Sequence, residues 1–169
     1  MNKVIAVLIA LLLLAAPVLA DTKIAYVDLQ KALNLSQAGI KAKNEIASQV
    51  KKYEAEFKTK QENLKKMKAE LQKQAVLLSD SAKAQKERDF QQNVKELQRF
   101  QKDVKEDLQQ KDADHTKQIL NQMFAVLQKL GKDGGYQMIL EKNQGAVVYG
   151  DEKIDLTDKL IKAFDATQK

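Results

Sequence analysis

The chain has 169 residues, a formal net charge of +6, one histidine and no cysteine. That inventory excludes a disulfide framework, a lipid-attachment cysteine and a His/Cys metal cluster. Aromatics make up only 5% of the residues, and Lys, Glu, Gln, Ala and Leu dominate, a balance that suits long helices.

Met1-Asn2-Lys3 gives a short positive start, 4–16 is apolar throughout, and Pro17-Val18-Leu19-Ala20 places small or β-branched residues before a cut. This predicts a secretory signal peptide over 1–20, cleaved after Ala20. A membrane anchor is the alternative, but the apolar run is shorter than the ~20 residues of a spanning helix and a polar segment follows. A lysine-rich exported chain with this leader points to the bacterial periplasm.

Lys23-Ile24-Ala25-Tyr26-Val27 is β-branched and aromatic, and predicts a strand. Asp28 can cap a short helix over 29–33, and Ser36 the next helix, which passes Gly39 into a long arm.

The arm, 40–130, contains neither Gly nor Pro between its flanking Gly39 and Gly131. Val50, Phe57, Leu64, Leu71 and Leu78 recur every seven residues, with Ile46, Tyr53 and Met67 between them. This is a coiled-coil seam. Phe90, Val94, Leu97, Val104 and Leu108 form a second seam, and Leu78-Ser79-Asp80-Ser81-Ala82 interrupts the pattern between them. The pattern predicts two antiparallel helices joined at a tip, each roughly 60 Å long at ~1.5 Å per residue.

Charge is concentrated in the arm, which holds about 20 Lys and Arg against about 14 Asp and Glu, while the rest of the mature chain is near neutral. With Val50 at heptad position a, Lys51, Lys52, Lys58, Lys65, Lys66 and Lys73 fall at b and c. The acids Glu54, Glu56, Glu62 and Glu70 fall at e, f and g. A one-signed lysine stripe suits an acidic or anionic partner; the alternative is a solvated helix face. Near the tip, Val76 and Leu77 lie off the seam, as does Phe100 farther along. They read either as apolar contact points for a client or as local packing.

Beyond Leu108 the heptad slips. Lys111 and His115 occupy seam positions and the apolar series resumes at Ile119, a stutter that marks a candidate hinge. His115 reads as a helix-face residue rather than a ligand. From Ile119 through Leu120, Met123, Phe124, Val126, Leu127 and Leu130 the apolar face widens, as it must to pack on a sheet.

Gly131 predicts the helix end, with Gly134-Gly135 as a turn. Strands are predicted at Tyr136-Gln137-Met138-Ile139-Leu140 and Ala146-Val147-Val148-Tyr149, joined by a loop at Lys142-Asn143-Gln144-Gly145. Asp155 or Thr157 caps a last helix with an apolar face of Leu160, Ile161 and Phe164. The fold class is α+β: a long helical hairpin projecting from a small three-stranded head built of 21–39 and 131–169. Such a head has a marginal core. Ile24, Tyr26, Val27, Ile139, Leu140, Val147 and Val148 put apolar groups on both strand faces, so the head is expected to oligomerise.

No glycine-rich phosphate loop is present, and acidic pairs such as Glu106-Asp107 fall on helix rather than in a pocket. The reading is a non-enzyme without cofactor. Nucleic acid is excluded as a partner, because the leader exports the chain and no stacking aromatics interleave the lysines.

Ile24-Ala25-Tyr26-Val27-Asp28, Gly135-Tyr136 with Met138-Ile139-Leu140-Glu141-Lys142-Asn143, Val147-Val148-Tyr149 and Ile154-Asp155-Leu156-Thr157-Asp158 resemble the Skp/OmpH family of periplasmic chaperones. The resemblance implies a homotrimer whose heads share a β-barrel and whose arms enclose a cavity. It implies an ATP-independent holdase for unfolded outer-membrane β-barrel proteins. Some members are described as binding lipopolysaccharide through a basic cluster, which does not map onto this chain: the arm has only Arg88 and Arg99, well separated. Two other functions compete with the holdase. One is a binder of anionic envelope surfaces, lipopolysaccharide or lipid; the other is a structural envelope spacer.

Overall fold

One short parallel pairing joins the two ends of the chain. β1 (Ile24–Val27) lies beside β2 (Met138–Glu141), with Ile24 opposite Met138 and Val27 opposite Glu141. The computed structural model describes residues 22–74 and 77–168, so the expected leader and Val76 lie outside the described residues. The helices are α1 (Leu29–Leu35), α2 (Gln37–Gln74), α3 (Asp80–Gly134) and α4 (Thr157–Ala166).

Each turn has a chemical cause. Asp28 Oδ1 accepts the Lys31 N–H at 2.7 Å and starts α1. The Asp28 side chain also accepts from the Asn143 amide at 2.6 Å. Burial alone would raise the Asp28 carboxyl; these two hydrogen bonds and the nearby Lys142 and Lys31 hold it below its ordinary value. Ser36 is buried between α1 and α2, where its Oγ accepts from Gly39 N–H and donates to the Leu33 carbonyl, both at 3.2 Å. A β carbon on Gly39 would collide with the Leu33 carbonyl oxygen, so the turn admits only glycine.

The helices α2 and α3 have 38 and 55 residues, about 57 and about 82 Å at ~1.5 Å per residue. Ser79 caps α3 by accepting the Ala82 N–H, at the break between the two heptad series. α3 runs unbroken through 111–119 and three residues past Gly131, to a left-handed Gly135 with φ 65°. That residue, not Gly131, adopts the conformation that stops the helix.

The core sits where α3 meets the ends of the chain. Ile119, Met123 and Leu127, four residues apart on one α3 face, pack with Ala25, Val27, Ala32, Leu156, Leu160 and Phe164. Buried Thr157 accepts the Asp28 N–H at 2.9 Å, tying α4 to the end of β1. Asp155 accepts from Thr157 N–H at 2.8 Å and so helps to start α4.

The expected third strand is corrected. Among the described residues the sheet has two strands, and Val147, Val148 and Tyr149 are not in one. After β2 the chain winds into a π turn at Lys142–Ala146, pinned by the Asn143–Asp28 hydrogen bond, instead of folding back as a hairpin. The other edge of β1 is occupied by a parallel bridge from Tyr26 to Asp155, with Leu156 N–H donating to the Tyr26 carbonyl. Val148 and Tyr149 are left 98% and 88% exposed. Tyr26 and Val27 are buried within the chain, Ile139 and Leu140 are half-buried, and Ile24 is exposed. No helix among the described residues is long and apolar enough to cross a membrane.

Candidate functional site

The arm is two helices thick, and that alone fixes how its side chains are presented. A two-helix seam covers each a or d residue from one side, and α2 contains no buried residue. Ile46, Val50, Tyr53, Phe57, Leu64, Met67 and Leu71 are all half-buried, as are Phe90, Val94, Leu97, Val104 and Leu108 across from them. Apolar surface therefore runs along the length of the arm beside its charges.

Lys51, Lys52, Lys58, Lys65, Lys66 and Lys73 are all exposed. Among the described residues none of the six has an ion-pair partner; the arm's pairs involve Lys60 with Glu56 at 3.5 Å, Lys102 with Glu106 at 3.6 Å and Lys111 with Asp107 at 2.7 Å. The stripe charges are free to meet a partner. Leu77, at the tip, is 85% exposed.

Phe100 differs from its expected position off the seam. It is half-buried, edge-on to Tyr53 with ring centres 6.1 Å apart. Lys60 Nζ lies over its ring, 5.2 Å from the centre. The heptad repeat from Val94 to Leu108 would put residue 101 on the seam, but Gln101 there is exposed and Phe100 turns in instead. A groove of about 290 Å³ remains open between the helices, lined by Val50, Phe57, Phe100, Gln101, Val104 and Leu108.

Below the groove the seam turns polar. Tyr53 donates to Asp107 Oδ2 at 2.8 Å, and Lys111 Nζ meets the same oxygen at 2.7 Å. The hydrogen bond from Lys111, then that from Tyr53, holds the Asp107 carboxyl below its ordinary value. Asp107 in turn raises both partners. Next, His115 Nε2 faces Glu45 Oε2 at 3.6 Å. The two stutter residues Lys111 and His115 thus each find an acid, and α3 stays continuous there. Among the described residues no group of His, Asp and Glu could hold a metal ion.

Sequence reasoning missed Lys60, Gln101 and the Tyr53–Asp107 link. The signal for the first two was present as gaps: Lys60 fills the seam step between Tyr53 and Met67, and Gln101 the step between Val94 and Leu108.

Comparison with known proteins extends over almost all of this structure. The sequence profile of the family described as Outer membrane protein (OmpH-like) matches residues 23–164. A Skp-like protein of Pseudomonas aeruginosa is 28% identical over 164 residues, 94% of each chain. An uncharacterised protein of Aquifex aeolicus is 27% identical over 156 residues, 92% of this chain and 94% of that one. Among solved structures, an OmpH-like protein of Caulobacter crescentus, described as a candidate outer membrane chaperone, superposes with a TM-score of 0.75. The superposition covers 88% of this chain and 86% of that one at 18% identity, and shows a shared fold.

Proposed function

We propose, from the premise that this chain belongs to the OmpH-like outer membrane protein family, that it is an ATP-independent holdase. It binds unfolded outer-membrane β-barrel proteins between basic helical arms in the periplasm and keeps them from aggregating. The observation that carries this reading is the juxtaposition on one arm of six unpaired lysines with a seam that is only half closed. Lysines attract an acidic chain from a distance and the apolar seam touches its exposed side chains. Many weak contacts hold a client without a fixed pocket, and let it leave. The leader read in 1–20 supports the compartment.

The working unit is an oligomer, a trimer by family analogy. A two-stranded sheet is marginal alone. Exposed Ile24, Met138, Val148 and Tyr149 give the head apolar surface to share with other copies. Sedimentation of the mature chain as a trimer is the expected result, and a monomer at micromolar concentration would remove the cavity from the mechanism.

The test of function is dilution of a urea-unfolded outer-membrane β-barrel protein into buffer, followed by light scattering. The mature chain is expected to suppress the scattering. The unpaired lysines also favour a second reading, binding to lipopolysaccharide or anionic lipid. That binding would vanish at 1 M salt, where the Debye length is about 3 Å, whereas a holdase with apolar contacts keeps part of its affinity. Failure to suppress scattering, with salt-sensitive binding to anionic vesicles, would select the second reading.

A further inference from the structure

The groove beside Gln101 has the shape of an unfinished seam. An apolar residue at 101 would close it, as Val94 and Leu108 close the neighbouring steps, but Gln101 stays exposed. What remains is a cleft of about 290 Å³ walled by Val50, Phe57, Phe100, Val104 and Leu108. Its walls are held firmly. The Tyr53 phenol bonds Asp107 at 2.8 Å, so the ring that supports Phe100 is fixed. Lys60 Nζ lies over the Phe100 ring.

Its length and rim say what fits. From Val50 to Phe57 the helix rises about 10 Å. An extended chain advances ~3.3 Å per residue, so the groove spans about three residues of a strand. The first and third side chains of such a segment point the same way, into the groove, and the middle one points out. Glu54 places the groove on the e side of the heptad. At ~100° per residue the b positions lie next to e, so exposed Lys51 and Lys58 flank it. With the acid Glu54 on one side and these lysines beyond it, the rim carries both signs, and the site asks above all for alternating apolar side chains in an extended segment. Transmembrane β-strands alternate in this way and carry aromatic residues at both ends.

We propose that this groove seats one extended segment of an unfolded transmembrane β-strand, with an aromatic or large aliphatic side chain between Phe57 and Phe100. The proposal rests on the holdase reading and assigns it a discrete apolar subsite on each arm. Gln101 keeps that subsite open, at the expense of the arm's own packing.

The experiment fills the groove. Gln101→Leu in the mature chain is expected to melt at the same temperature or higher, yet to need roughly tenfold more protein for half-suppression of client scattering, the equivalent of about 1.4 kcal/mol. In parallel, a benzophenone amino acid replaces Gln101, or outward-facing Ala55 as a control, and the client is photo-crosslinked. Crosslinks from position 101 to aromatic-rich client segments, and few from position 55, are expected. If folded Gln101→Leu suppresses as well as wild type, the subsite is wrong while the holdase stands. Should Gln101→Leu fail to fold, the crosslinks decide alone, and equal yields from 101 and 55 overturn the subsite. Crosslinks from 101 to another copy of the arm would also overturn it, by showing a self-contact. A wild-type chain that suppresses nothing would remove the holdase reading itself.

Discussion

The Tyr53 hydroxyl reaches across the arm from α2 and donates to Asp107 on α3, 2.8 Å away, where Lys111 also binds. It is a hydrogen-bonded tie between two helices that meet elsewhere mainly through half-buried apolar side chains. A polar pair at one seam position fixes which residues face each other, because every shifted pairing leaves it unmatched.

Tyr53→Phe keeps the ring against Phe100 and removes only the tie. The expected outcome is unchanged helix content by circular dichroism at 25 °C, with a lower melting temperature. Hydrogen exchange should quicken in 100–111 more than in the 119–127 segment, which packs in the core. Uniform exchange across both would show that the tie does not set the local stability of the arm.

Acid should loosen both that layer and the Asp28 cap of α1 in the head. The carboxyls of Asp107 and Asp28 are both held below their ordinary value. Their contribution is complete above the unfolded aspartate value of about 3.9 and is lost as pH falls through the lower folded values. Melting temperature should therefore drop between about pH 4 and pH 2, and less steeply in Asp107→Asn, measured at constant ionic strength. An identical acid profile for that variant would dissociate Asp107 from the effect.

Gly39→Ala tests the entry to the arm. With the new methyl driven into the Leu33 carbonyl oxygen, either α1 or α2 must shift. A loss of about 3 kcal/mol in urea unfolding is expected, at the upper end for overpacking. A loss below about 0.5 kcal/mol would mean that the turn relaxes freely.

Changing Lys51, Lys52, Lys58, Lys65, Lys66 and Lys73 together to Gln should leave the melting temperature nearly unchanged, because none has an ion-pair partner among the described residues. Client suppression should weaken, most visibly at low salt. Equal suppression would make the stripe a solvated face and leave the apolar surface to carry binding.

The hairpin was legible because its information is local and repeated. Val50 to Leu71 and Phe90 to Leu108 each carry a seven-residue period, and Ser79 marks the break with a capping hydroxyl. The third strand was not legible. Val147-Val148-Tyr149 has strand chemistry, but a strand needs an edge, and in this chain Asp155 bridges to β1 while the π turn steers the segment away. The exchange of Phe100 for Gln101 depends on the opposite helix: Tyr53 and Lys60 give Phe100 a place one residue out of phase, which a period measured on one helix cannot report. Lys60 is the plainer lesson, since a lysine stem can line a seam while its ammonium reaches outward.

The pairing of the chain's two ends sets an order of events. Lys23 N–H and the Gln137 side chain that accepts from it at 2.6 Å are 114 residues apart, and α4 supplies Leu160 and Phe164 to the core later still. A chain that emerges N-terminus first cannot lock its head until almost its whole length is out. The helical hairpin, built from near neighbours, is free to zip up earlier, while closure of the head waits on a long loop and is the slower step. On the export route proposed above, that delay leaves the head open until nearly the whole chain has passed.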